Sequence, residues 1–102
     1  MALVTVARVS DVAPGTVKYV EANGARIALC NVDGTFYAVD DVCTHDGGPL
    51  DQGYLEGTSI ECPRHGARFD VTTGRVLALP AVIPLKTYRV EVVGEEVMVE
   101  TG

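Results

Sequence analysis

Both histidines of this chain and two of its three cysteines fall into one pattern: Cys43-Thr44-His45, then 16 residues, then Cys62-Pro63-Arg64-His65. Core residues scattered by packing alone do not gather this way. Each half sets one thiol and one imidazole on a stretch rich in glycine and proline. Two such loops folded face to face present two sulfurs and two nitrogens to a common centre, so the fold has to bring them together. Thiolate suits zinc and iron–sulfur chemistry, and imidazole suits zinc and iron. The donor set alone therefore leaves open both a structural Cys₂His₂ zinc site and an iron–sulfur centre. Cys30 lies in the apolar run Ile27-Ala28-Leu29-Cys30 and reads as a small buried hydrophobe, not a ligand. An odd cysteine count in a chain without an export signal argues against a disulfide framework.

Around these loops the pattern is that of strands. Apolar and polar residues alternate in Val4-Thr5-Val6, Val17-Lys18-Tyr19-Val20 and Tyr88-Arg89-Val90-Glu91-Val92, the period of half-buried β-structure. Asn23-Gly24 and Asp33-Gly34 predict type I′ hairpins, whose two central residues both take positive φ, and Gly94-Glu95 marks a further turn. The reading places strands at 3–9, 16–22, 25–31, 35–39, 58–61, 67–70, 75–77, 86–93 and 96–100, with no helix. Between Asp40 and Pro84 the texture changes to loops punctuated by Gly47, Gly48, Pro49, Gly53, Gly57, Pro63, Gly66, Gly74 and Pro80. The expected architecture is all-β: an antiparallel framework from 1–40 and 80–102 carrying an inserted, loop-rich subdomain at 41–79. At 102 residues the whole is expected to form one domain, 1–102, around one site.

Charge and hydropathy narrow the function classes. Eight Lys and Arg against 14 Asp and Glu give a net charge of −6, which repels phosphate backbones and excludes nucleic acid as an expected ligand. No apolar stretch is long enough to cross a bilayer. The first residues show no basic region leading into a long apolar run and no cleavage site. A cytoplasmic, monomeric protein is expected.

The two boxes, Cys43-Thr44-His45 and Cys62-Pro63-Arg64-His65-Gly66-Ala67-Arg68-Phe69-Asp70, resemble the cluster-binding boxes of Rieske proteins. The resemblance implies one [2Fe–2S] cluster per chain, with Cys43 and Cys62 on the inner iron and His45 and His65 on the outer one. It implies an electron carrier, not an enzyme. Neutral imidazoles in place of two thiolates leave an oxidised cluster uncharged, so that reduction takes it only to −1 and is favoured over the −2 to −3 step of a four-thiolate cluster. Gly47, Gly48 and Gly66 would let backbone amides approach the cluster sulfurs. Respiratory relatives clamp their loops with a disulfide where this chain has Gly48 and Arg64, and carry Ser and Tyr hydroxyls where it has Ala67 and Phe69. Missing sulfur-directed donors imply a potential near the low end of the family range, roughly −150 mV rather than +300 mV.

That regime is the one of ferredoxins serving oxygenases. Terminal oxygenases of the family often have Arg after the first histidine, whereas this chain has Asp46. Both its histidines are committed to the cluster, so a 2-His-1-carboxylate iron site is not expected. The implied partners are a flavin-dependent NAD(P)H reductase and a terminal oxygenase. The alternatives are a small Rieske subunit of a larger reductase, such as a nitrite-reducing enzyme, and the zinc module. Asp46, Arg64 and Arg68 are candidates for steering a partner or plain solvated charges. Pro49, Leu50, Leu79 and Pro80 are candidates for an apolar rim that shields the cluster or for plain packing of the loops, and Phe69 and Tyr54 are expected to pack beneath its loops.

Overall fold

The computed structural model describes residues 2–44, 47–64, 66–79, 81 and 83–101. Among them the alternating segments form β1 (Ala2–Arg8), β2 (Val17–Ala22), β3 (Ala25–Val32), β4 (Thr35–Asp40), β5 (Tyr54–Glu56), β6 (Ser59–Glu61), β7 (Arg68–Asp70), β8 (Val76–Ala78), β9 (Thr87–Tyr88), β10 (Val90–Val93) and β11 (Glu96–Thr101). A short 3₁₀ turn at Val9–Asp11 is the only helical element among the described residues. Every pairing is antiparallel, in three sheets ordered β1-β11-β10, β2-β3-β4-β9 and β5-β6-β7-β8.

The hairpins follow their turn residues. Asn23 and Gly24 take φ of 49° and 83°, and Asp33 and Gly34 take 50° and 91°, as type I′ turns require. Their short reach fixes the registers Ala22↔Ala25 and Val32↔Thr35. These registers put β3 in the middle of its sheet, and β3 is buried on both sides. Ile27 and Leu29 face a core shared with Val20, Phe36, Ala38, Val97 and Val99. Ala28 and Cys30 face a second core with Val39, Leu50, Ile60 and Phe69. A strand covered on both faces loses its alternation and becomes a continuous apolar run. The molecule is thus layered: the β1-β11-β10 sheet, the β3-centred sheet, then the third sheet with its loops.

Two elements differ from the sequence expectation. The segment 86–93 is not one strand: β9 pairs with β4 through Ala38↔Tyr88, β10 pairs with β11, and the chain changes sheet at Arg89. Alternation runs unbroken across this step, so periodicity does not reveal it. The strand β5 was not expected at all, being three residues between Gly53 and Gly57. Close backbone contacts tie the third layer to its surroundings. A Cβ at Gly53 would lie 2.0 Å from the Glu61 carbonyl oxygen, and one at Gly74 would lie 2.1 Å from that of Leu85. Only glycine admits such approaches.

Candidate metal centre

The two boxes fold into loops of the same design. In the first, the Cys43 amide donates to the Gly48 carbonyl (2.7 Å) and the Gly47 amide donates back to the Cys43 carbonyl (2.7 Å). In the second, the Cys62 amide donates to the Ala67 carbonyl (2.7 Å) and the Gly66 amide donates back to the Cys62 carbonyl (3.1 Å). Each loop closes through the same pair of bonds, one to the fifth residue after the cysteine and one from the fourth. Each makes its turn on a left-handed glycine, Gly47 at φ 77° and Gly66 at φ 76°. Among the described residues, no atom beyond the chain neighbours lies within 4 Å of where a Cβ on either glycine would stand, so positive φ is what requires glycine there. Their amides donate to the carbonyls of the two cysteines, and that bond closes each loop.

Cys43 and Cys62 are both buried, and they belong to one core with Leu50, Ile60, Ala67 and Phe69. No disulfide joins any of the three cysteines. His45 and His65, the other two expected ligands, lie outside the described residues, as do Asp46 and Pro80. Cys30 is fully buried as expected, and burial, followed by the charge of Asp41, pushes its thiol up to about 12. It remains a neutral thiol, unsuited to ligation. A donor set of one buried cysteine per matched loop, walled by apolar side chains, fits an iron–sulfur cluster held in a surround of low dielectric.

The Rieske [2Fe–2S] domain family matches residues 2–89. The chain belongs to this family. It is similar to the ferredoxin component of biphenyl 2,3-dioxygenase from Rhodococcus jostii, with 42% identity across 98% of this chain and 94% of the relative. Among solved structures, the ferredoxin of carbazole 1,9a-dioxygenase from Nocardioides aromaticivorans superimposes with a TM-score of 0.93 at 35% identity, covering 97% of each chain. A chain from a complex of reduced oxygenase and oxidised ferredoxin of carbazole 1,9a-dioxygenase superimposes with a TM-score of 0.90 at 42% identity, covering 95% of this chain and 91% of that one. As a Rieske ferredoxin, the protein carries one [2Fe–2S] cluster and moves electrons without transforming a substrate. The zinc alternative falls with that assignment.

Other expected site residues are placed as follows. Phe69 is fully buried beneath the loops. Tyr54 is not: it is 67% exposed on the outer face of the third sheet, because Leu55, its neighbour in β5, takes the inward side of the pleat and packs against the core. Leu50 is likewise no rim residue, being 0% exposed within the core. Leu79, a rim candidate, is 76% exposed, and Ile83, a residue the sequence does not single out, is 58% exposed. The Thr44 hydroxyl donates to the Ile83 carbonyl at 2.6 Å, seating that segment against the first loop. Pro49 and Arg64 are exposed, and Arg68 is engaged with Glu61 at 2.8 Å.

The sequence reading also missed Asp41. This buried carboxylate accepts the Leu50 and Asp51 amides, at 2.8 and 2.7 Å, on Oδ1. Burial, and next the Asp51 carboxylate, push its carboxyl above the usual range. An acid beside another acid in Asp40-Asp41 reads as solvated surface, and nothing in spacing distinguishes it.

Proposed function

We propose that this ferredoxin holds its cluster on Cys43, His45, Cys62 and His65 and serves an aromatic-ring dioxygenase system. It takes one electron from a flavin-dependent NAD(P)H reductase and delivers it to a terminal oxygenase. The observation that carries the ligand assignment is the duplicated loop: two matched closures, each opening on a buried cysteine of the same core. When bound, the cluster supplies a one-electron couple. The chain's own residues then have three tasks. The loops fix the two thiols, Leu50, Ile60 and Phe69 exclude water from their side, and the exposed segments at Pro49, Leu79 and Ile83 offer a contact surface next to the loops. The charge of −6 favours partners with a basic docking face. The protein works as a single domain, its 41–79 subdomain set into the 1–40 and 80–102 framework, as a cytoplasmic monomer.

The test is metal and sulfide analysis with electron paramagnetic resonance of the dithionite-reduced protein. About two irons and two acid-labile sulfides per chain are expected, with a rhombic signal. Cys43→Ser and Cys62→Ser should abolish both, and retention of the cluster in either variant would overturn the ligand assignment. Coupled turnover with a reductase and an aromatic dioxygenase tests the role. A carrier that is reduced but never reoxidised by any such oxygenase would favour the alternative of a subunit resident in a larger reductase.

A further inference from the structure

The two ligand loops are built alike but supported differently. The second loop hangs between paired strands, with Ile60↔Phe69 and Glu61↔Arg68 in register on its two arms. The first leaves β4 at Asp40, and no described residue from there to Gly53 lies in a strand. Its return arm has no ladder to hold it. Asp41 stands at that point with three hydrogen bonds. Its backbone amide donates to the Arg26 carbonyl of β3 at 2.9 Å. Its Oδ1 accepts the amides of Leu50 and Asp51 at 2.8 and 2.7 Å, which closes residues 41–51 into a ring around the nested Cys43–Gly48 bond. The side chain's residue is 4% exposed, and Oδ2 is buried with no hydrogen-bond partner among the described residues. Burying a carboxylate with one oxygen unmatched is unfavourable. The fold tolerates it where one acceptor has to gather two amides.

We infer that Asp41 is the positioning residue of the first ligand loop: by drawing the Leu50 and Asp51 amides onto one oxygen, it fixes the loop that carries Cys43. This rests on Cys43 being a cluster ligand. The acceptor, not the charge, is what the geometry uses, and an asparagine side-chain oxygen can accept the same two amides.

The experiment compares the loaded wild type with Asp41→Ala and Asp41→Asn, with Ile27→Val in the other core as a control for general stability. The readouts are the electron paramagnetic resonance line positions of the reduced protein and the rate of cluster loss to an iron chelator. Asp41→Ala should shift the line positions and lose its cluster about tenfold faster or more, the scale found when a group behind a metal ligand is removed. Asp41→Asn should restore both to within about twofold of wild type. Ile27→Val should lower the melting temperature without moving the spectrum. The inference is overturned if Asp41→Ala keeps the wild-type spectrum and loses cluster no faster than the control, or if Asp41→Asn behaves like Asp41→Ala. If Asp41→Ala yields no folded protein, Asp41→Asn decides alone by the same two readouts. Failure of the underlying reading would show separately, as a cluster that survives Cys43→Ser.

Discussion

Ala67 and Phe69 are fully buried beside Cys62 in the core that holds both loop cysteines, and neither side chain carries a donor. A side-chain hydroxyl at either position would add a donor beside the loop cysteines. Ala67→Ser and Phe69→Tyr should each raise the reduction potential, moving it upward within the Rieske span of roughly −150 to +300 mV. Spectroelectrochemical titration measures this, and two folded variants with unchanged potentials would remove the explanation. Cys30 makes a contrasting case. Its Sγ makes a weak contact at 3.9 Å to the Ala28 carbonyl, so Cys30→Ser should leave the cluster spectrum intact while costing about 1–3 kcal/mol for a poorly matched buried hydroxyl. Burial pushes the Cys30 thiol up to about 12, and burial together with the Asp40 hydrogen bond pushes the Tyr88 phenol up to about 12. The unfolded groups titrate near about 8.5 and about 10. Above those values the unfolded chain has released protons that the native state still holds, so stability falls as pH rises toward 12. Denaturant melts from pH 8 to 11 should show this, and Cys30→Ala should delay the onset to about pH 10, where the tyrosine takes over.

At the level of elements, the framework hairpins were legible because turn chemistry and periodicity agree. Asn23-Gly24 and Asp33-Gly34 dictate the loop type, loop type dictates register, and the apolar run at Ile27–Cys30 marks the strand covered on both faces. The loop-rich layer was not legible to the same depth. With no period running through 41–53, neither the burial of Leu50 nor the outward turn of Tyr54 can be read from the sequence. The change of sheet at Arg89 was hidden because alternation says which face a residue takes but not which neighbour its strand pairs with. The boxes themselves were conspicuous, yet Asp41 was not, since its role depends on amides nine and ten residues away that only the folded chain brings near. Gly74 shows the same limit. At φ 80°, with the Leu85 oxygen 2.1 Å from where a Cβ would stand, it joins the third sheet to the segment leading into β9. Gly74→Ala should destabilise by about 3 kcal/mol from overpacking and the left-handed backbone combined, measurable by urea unfolding. A loss below about 0.5 kcal/mol, the range of an ordinary surface change, would show that the contact yields freely.

Over the whole molecule, the two cysteine loops adjoin the third sheet, and apolar side chains in the segments next to them are exposed. The Thr44–Ile83 bond holds Ile83 against the first loop. Leu79 follows Ala78, which pairs with Arg68 just beyond the second loop, and Pro49 directly follows Gly48. These residues flank both loops, and such a small apolar rim suits the brief, limited contacts of redox partners. The protein's charge of −6 adds long-range attraction to a basic partner face, which governs encounter more than the closed contact. The two contributions separate experimentally. Raising ionic strength from about 0.01 M to about 0.15 M shortens the Debye length from roughly 30 Å to roughly 8 Å, and should slow second-order electron transfer without altering the spectrum. Ile83→Asp and Leu79→Asp alter exposed side chains, so both should keep the wild-type potential and melting temperature closely while lowering turnover with the oxygenase several-fold at either ionic strength. Leu50→Asp, by contrast, places a charge in the core and should unfold the loop layer instead of testing docking. Stopped-flow reduction and coupled turnover of the two rim variants provide the measurement. Kinetics indifferent to both salt and rim substitutions would place the docking surface elsewhere on the molecule, while leaving the matched loops and their cysteines untouched.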